Sequence, residues 1–429
     1  MNRFRLAVVT AALAAPLGAL APLGAAASAQ AADSPPAAGA GAPVYQAVPA
    51  SSATSGGGPA SGGAGTGGCS NLPTTSNFHE RVVTQAVLPL EQLPASAVSV
   101  PTWSGSFTTG ATNYPFTMVG GDPAGGQATH VPVEIIPLRL DFAGSGCVLQ
   151  DPGMAADLEA SPLFTPTALN TGVTQQLDDY QRGSFWSTVS TTSPGYHLLL
   201  DPSDIPAVTL HVPAAQGLTF FNSDTNLPVG IVGGNWFFHQ LLGLINSLHI
   251  SPTTLPVFVP YNTSVTDQNP NDCLHAPGCY HYNGYHYAVL SNSNPHAINT
   301  FIMAAYHDFG TESTYDLGTY ILSHELLEWA ADPFDHYSSV QNPAAATSLF
   351  MNTAPAWSSP YYFNACQTSL EVADPLEGAG FFGLTNLPDS KYLVADGAFL
   401  SWFARQSPST ALGGLYDMVG VFSTYSTAC

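Results

Sequence analysis

His324-Glu325-Leu326-Leu327-Glu328 sets an imidazole and two carboxylates within five consecutive residues. On a helix, side chains at i and i+4 share a face, so His324 and Glu328 point the same way with Glu325 beside them. H-E-x-x-E differs by one residue from H-E-x-x-H, in which the two histidines grip zinc and the intervening Glu acts as general base. Glu is itself a zinc ligand. The spacing therefore makes His324 and Glu328 candidate metal ligands and Glu325 the candidate catalytic base. The second carboxylate adds negative charge beside the ion, which makes a water bound there less acidic.

Such a motif needs a helix to hold it. The pattern predicts one from about Thr314 to Ala331, ending at Asp332-Pro333 because the residue before proline is pushed out of the helical region. Leu322, Leu326 and Trp329 fill one face, and Tyr320, Leu327, Ala330 and Ala331 cover much of the rest. A helix apolar nearly all round is buried. Buried carboxylates are paired, protonated or metal-bound, and the whole chain holds only seven Lys and Arg. A metal is the economical partner. Asp332, eight residues after His324, stands about 12 Å further along the axis, which suits a supporting or helix-end role. His281 and His336 are further candidates for the site, although a single loop histidine is as readily structural or exposed. The stretch Cys273–His286 gathers His275, His281 and His286 among tyrosines. It reads either as a disulfide-pinned loop beside the metal, supplying an oxyanion partner, or as an aromatic surface on a strand. His307-Asp308 reads as an orienting pair or as a capped turn.

Around this helix the chain reads as α+β, with a strand-rich first half and a mixed sheet in the second. Val131–Phe142 is an apolar run interrupted by Pro132 and Pro137, which predicts an edge or bent strand. Strands are expected at Tyr196–Leu200, Ala207–Val212, Leu255–Pro260, Tyr285–Leu290 and Thr300–Tyr306. A short helix is expected near Asp178–Trp186. An amphipathic helix is expected over Asn235–His249, where Phe237, Leu241, Leu244, Ile245 and Leu248 recur at helical spacing and Asn235 is a possible cap.

Residues 1–29 carry a basic start, an apolar run from Leu6 to about Leu23 and the small-residue site Ala27-Ser28-Ala29, the pattern of a secretory signal peptide. Residues 30–68 are almost entirely Ala, Gly, Ser and Pro and read as a disordered linker or pro-segment. The remainder divides into a β-rich region, 69–220, and a metal-binding region, 221–429, with 69–429 as one domain the alternative. Six cysteines in an exported chain favour disulfides, with Cys273 and Cys279 close enough for a local loop. The chain is acidic: 29 Asp and Glu give a net charge of −22. That balance excludes nucleic acid, which needs cations on its phosphates, and argues against anionic lipid surfaces. No segment after the leader is apolar enough for a membrane span.

Ser323-His324-Glu325-Leu326-Leu327-Glu328, with Asp332-Pro333, resembles the active helix of zincin metallopeptidases. It is also similar to a set of secreted bacterial proteins with S-H-E-x-x-E followed by D-P, and distantly to plant phosphate-induced, exordium-type secreted proteins with H-E-L-A-E. The bacterial likeness extends to Met118-Val119-Gly120-Gly121-Asp122-Pro123, Cys279-Tyr280-His281 and Glu371-Val372-Ala373-Asp374, and so runs from about residue 110 onward. The zincin likeness covers only the helix, and Glu328 stands where zincins carry His. Thermolysin-like peptidases take a third ligand from a downstream Glu followed by an Asp. That likeness implies Glu371 or Asp374 as the third ligand here and zinc as the ion.

These readings together make the chain a secreted zinc-dependent hydrolase, foremost a peptidase, acting on a protein, peptide or cell-wall substrate. Two alternatives stay open. One is a non-catalytic cell-wall or carbohydrate-binding protein with a structural metal. The other is a metal-free acid hydrolase in which Glu325 and Glu328 share a proton.

Overall fold

The computed structural model describes residues 98–429 apart from 223–225, 274–278, 291–295, 309–317, 335–350, 362–365, 380, 385–391 and 427–428; before residue 98 it describes 45–48, 68–70, 72–75 and 78–80. All of these fall in one compact unit, Gly41–Cys429.

The architecture is α+β and strand-rich. Its main sheet is built on one long strand, β1 (Ala128–Phe142), whose final residues pair antiparallel with β2 (Cys147–Leu149). After helix α1 (Gln176–Ser184), strands β3 (His197–Asp204) and β4 (Val208–Val212) pair parallel with β1, one after the other along its length. Helix α2 (Gly234–Ser247) precedes β5 (Leu255–Pro260), which is parallel to β1 on its other side. Strand β6 (Gly284–Leu290) is the outermost and runs antiparallel to β7 (Ile298–Ala304), which is parallel to β5. Helix α3 (Tyr320–Ala331) carries the H-E-x-x-E motif. The sheet thus draws strands from both sides of residue 220.

Of the edge strand and the bent strand that its two prolines suggest, β1 is not the edge: it is a central strand. Proline cannot donate to a ladder, and both prolines fall where β1 has a neighbour on one side only. Pro132 is paired with β3 at Asp201, and β5 begins only at Val133. Pro137 is paired with β5 at Val259, in the interval between the end of β3 at Ile135 and the start of β4 at Leu138.

Other elements differ from the sequence reading at their ends. α2 starts at Gly234 with Gly233 as its cap, so Asn235 lies inside the helix. The motif helix begins at Tyr320, later than expected, because Gly318 takes a left-handed φ of +58° just before it; residues 314–317 lie outside the described residues. Asp332 leaves the helical region at φ −140°, as the following proline requires.

Side-chain alternation places α2 and α3 on opposite faces of the sheet. On one face, Phe238 of α2 packs against Tyr287 and Phe301. On the other, the Trp329 indole N–H of α3 donates to Thr300 Oγ1 at 3.0 Å. Disulfides link Cys69 to Cys147 and Cys366 to Cys429. Cys273 is also disulfide-bonded, while the side chain of Cys279 lies outside the described residues. Within the region read as linker, Tyr45–Val48 forms a strand paired antiparallel with Phe381–Leu384. No helix among the described residues is long and apolar enough to cross a membrane.

Near the C-terminus, Asp396 and Asp417 are buried against each other. Asp417 accepts four main-chain N–H groups, from Val419, Gly420, Val421 and Phe422. Burial, with the Asp417 charge beside it, holds the Asp396 carboxyl well above the usual carboxylate range, despite N–H bonds from Met418 and Gly397. Folded Asp396 therefore keeps a proton that the unfolded chain loses near pH 4, so its contribution to stability falls as pH rises through that window. Replacing Asp396 by Asn is expected to flatten this dependence, read as denaturant midpoints between pH 4 and 8; an unchanged slope would contradict the raised Asp396 carboxyl.

Candidate metal centre

All twelve residues of α3 are buried. The helix is fastened at both ends. Thr319 donates its hydroxyl to the Leu393 carbonyl, and Ser323 Oγ accepts the Ala395 N–H at 2.7 Å. At the other end, Asn352 is almost fully buried. Its side-chain amide donates to the carbonyls of Ala331 (2.6 Å) and Thr117 (2.7 Å), and its oxygen accepts the Thr117 N–H at 2.8 Å. Its main-chain N–H lies 3.0 Å from both carboxylate oxygens of Asp332. Asp332 therefore anchors the helix end.

The ionisable stripe of α3 faces a second set of acids. His324 Nε2 lies 3.2 Å from Glu328 Oε2 and 3.5 Å from Asp374 Oδ1. The Asp374 N–H donates to Glu328 Oε1 at 3.0 Å, which holds the loop carrying Asp374 against the helix. On the strand side, His286 Nδ1 lies 3.5 Å from Glu325 Oε2. Its Nε2 lies 3.1 Å from the Asp332 carbonyl and 3.9 Å from Glu371 Oε2. Gly284 of β6 passes so close to the helix that a Cβ there would stand 2.3 Å from Glu325 Oε1. A larger residue there would push the Glu325 and Ile321 side chains aside.

These carboxylates have no cationic side chain among the described residues. Arg139 donates to Gln150, Arg182 to the carbonyls of Pro194 and Tyr196, and Arg405 to the Ala356 carbonyl. Arg81 and Lys391 lie outside the described residues. Without a metal the site gathers protons instead. Burial opposes charge on His324, but Glu328, Asp374 and Glu325 outweigh it and raise the imidazole well above its ordinary value. Burial raises the Glu325 carboxyl, with the nearby Glu328 charge adding to it and His286 and His324 working against it.

The buried His and Glu side chains could hold a metal ion. Two ligand atoms at about 2.0–2.1 Å from a tetrahedral zinc stand about 3.3 Å apart, and the His324–Glu328 and His324–Asp374 separations of 3.2 and 3.5 Å bracket that value. Two groups have ligand atoms mutually within 4.8 Å: His324, Glu325 and Glu328, and His286, Glu328 and Glu371.

Of the residues singled out from sequence, the structure brings together His324, Glu325, Glu328, Glu371 and Asp374. Asp332 is tied to Asn352. His281 is buried at the end of the strand Cys279–His281 and belongs to neither group. His336 lies outside the described residues. Asp308 interacts with Tyr261 and Asn262. His286 is the residue the motif reading does not single out. Its signal is the alternation of β6: Gly284, His286 and Ala288 face α3, while Tyr285 and Tyr287 pack on Phe301. No family model, curated protein or solved structure matches the chain.

Gly284→Ala is expected to displace Glu325 and cost about 1–3 kcal/mol of stability by overpacking. Gly243→Ala, where a Cβ would meet nothing within 4 Å, serves as the control. Equal denaturant midpoints for the two variants would contradict the close crossing.

Proposed function

We propose that the protein is a secreted zinc-dependent hydrolase, foremost a peptidase, with its centre on α3. The observation that carries this reading is the buried group His324, Glu325 and Glu328, with Asp374 Oδ1 3.5 Å from His324 Nε2 and no Lys or Arg beside it among the described residues. His324, Glu328 and Asp374 would hold the ion. Zinc bound there would supply Lewis acidity toward a carbonyl and toward water.

The chain's own residues carry the rest. Glu325 is the base that takes a proton from the attacking water. Burial raises its carboxyl, which strengthens it as a base and equips it to hand the proton on to the leaving group. His286, 3.5 Å from Glu325 Oε2, orients that carboxylate. Asp374 N–H fixes Glu328 through its other oxygen.

A peptide substrate is favoured by the outer strand. β6 ends the sheet and has no further strand beside it among the described residues. It passes directly over Glu325 at Gly284. An extended peptide can add to such an edge through main-chain hydrogen bonds. Export through the leader would place a protein, peptide or cell-wall substrate outside the cell, where the disulfides are stable.

The test is a peptide-library cleavage assay on wild type, Glu325→Gln and His324→Ala, each with its metal content measured. Glu325→Gln is expected to keep metal and lose hydrolysis by a factor of about 10²–10⁴; His324→Ala is expected to lose both. Cleavage that survives chelation would overturn the reading and favour a proton-sharing pair of Glu325 and Glu328, and cleavage that Glu325→Gln leaves undiminished would overturn both.

A further inference from the structure

Residues 393–398 join two walls of the centre. The Leu393 carbonyl accepts the Thr319 hydroxyl, and the Ala395 N–H donates to Ser323 Oγ at 2.7 Å, at the start of α3. The Ala398 N–H donates at 2.8 Å to the carbonyl of Val372, inside the 371–374 segment. From α1, Gln176 Nε2 donates to the Ala395 carbonyl at 3.2 Å and the Tyr180 hydroxyl to the Ala398 carbonyl at 2.9 Å. The segment is thus a clamp that holds α1, α3 and the segment carrying Asp374 to one another.

Asp396 lies in the middle of this clamp and meets the loop 417–422, which is joined to the clamp by an antiparallel bridge between Ala398 and Asp417. Asp396 and Asp417 are both buried. The Asp417 carboxylate takes four main-chain N–H groups. Asp396 Oδ1 takes the Met418 N–H at 3.0 Å, but its Oδ2 is buried with no donor. A protonated carboxyl has one O–H to donate, so a proton on Asp396 turns the contact between the two acids from repulsion into a hydrogen bond. Burial first, then the Asp417 charge, hold the Asp396 carboxyl well above the usual carboxylate range. The other titratable groups acting here are the phenols of Tyr180 and Tyr361, which burial and these acids keep neutral.

We infer that Asp396 and Asp417 form a pH-sensitive latch on the centre: their carboxyl–carboxylate contact keeps the clamp closed in acid, and ionisation of both acids opens it, loosening α3 and the 371–374 segment. The closed form carries a proton on Asp396. The open form, with that side chain in water, loses it near pH 4. Above that pH each unit favours opening by about tenfold, until the closed form gives up its proton too. For the secreted protein proposed above, the firmness of the centre then follows the acidity of the surroundings. The latch acts on the framework and does not require the zinc reading.

The test is hydrogen–deuterium exchange of the full chain, with chelator present, read by mass spectrometry at pH 5 and 6 and divided by the intrinsic exchange rate at each pH. Peptides covering 393–398 and 417–422 are expected to open about tenfold more at pH 6 than at pH 5, with α2 unchanged as the internal reference. Asp396→Asn, whose amide can donate to Asp417 at either pH, is expected to abolish that increase and to lessen the one at 319–323 and 371–374. Asp396→Ser, whose hydroxyl can also donate, takes its place if the Asn variant fails to fold by circular dichroism. Glu325 and His324 can themselves titrate on α3, so the loop 417–422, which carries no ligand, is the decisive peptide. Equal corrected exchange of that loop at pH 5 and 6 in wild type, or an increase that persists in the variant, overturns the latch and leaves the zinc reading standing. An increase confined to 417–422, with 319–323 and 371–374 alike in wild type and variant, overturns its hold on the centre.

Discussion

Buried negative charge with no Lys or Arg beside it among the described residues is the constraint on which this structure turns. Four carboxylates are brought to one helix in a chain with few Lys and Arg, and the three described arginines are committed to main-chain carbonyls and a glutamine elsewhere. Burying that charge is unfavourable unless a cation compensates it. The fold nevertheless invests in the burial. α3 is enclosed along its whole length, pinned through Thr319 and Ser323 at one end and clamped by Asn352 at the other. A glycine on the neighbouring strand makes room for Glu325. Residues held this firmly around buried carboxylates could hold a metal ion.

The same constraint accounts for the layering. The mixed sheet presents one face to α2 through aromatic packing and the other to α3 through Thr300, His286 and Gly284. The antiparallel outer strand β6 lies over the helix and contributes a histidine that no local motif contains. The segment Glu371–Asp374 closes the site from the third side, held by the Asp374 N–H on Glu328. Elsewhere a buried acid is met differently: burial beside Asp417 raises the Asp396 carboxyl well above the usual range.

Much of the site is legible in the sequence because helical spacing is local. An i, i+4 pair needs only the helix to form, so His324, Glu325 and Glu328 can be read directly. The start of that helix cannot, because Gly318 interrupts it where the apolar pattern continues. The α+β class is also legible from alternating runs, but the centrality of β1 is not. Its prolines argue for an edge, and only the staggered ends of β3, β4 and β5 show how a central strand tolerates them. His286 and the distinct placements of Glu371 and Asp374 depend on long-range packing. Nothing in the spacing of 371 and 374 tells which faces His324 and which faces His286.

The most direct test of the central claim is the unfolding temperature of the metal-stripped chain with and without added zinc, wild type beside His324→Ala. Binding to the folded state alone stabilises it by about 4 kcal/mol at a thousandfold excess over Kd. The account predicts a rise of several degrees in wild type and a markedly smaller one in the variant. The same unfolding temperature for wild type with and without zinc would contradict it.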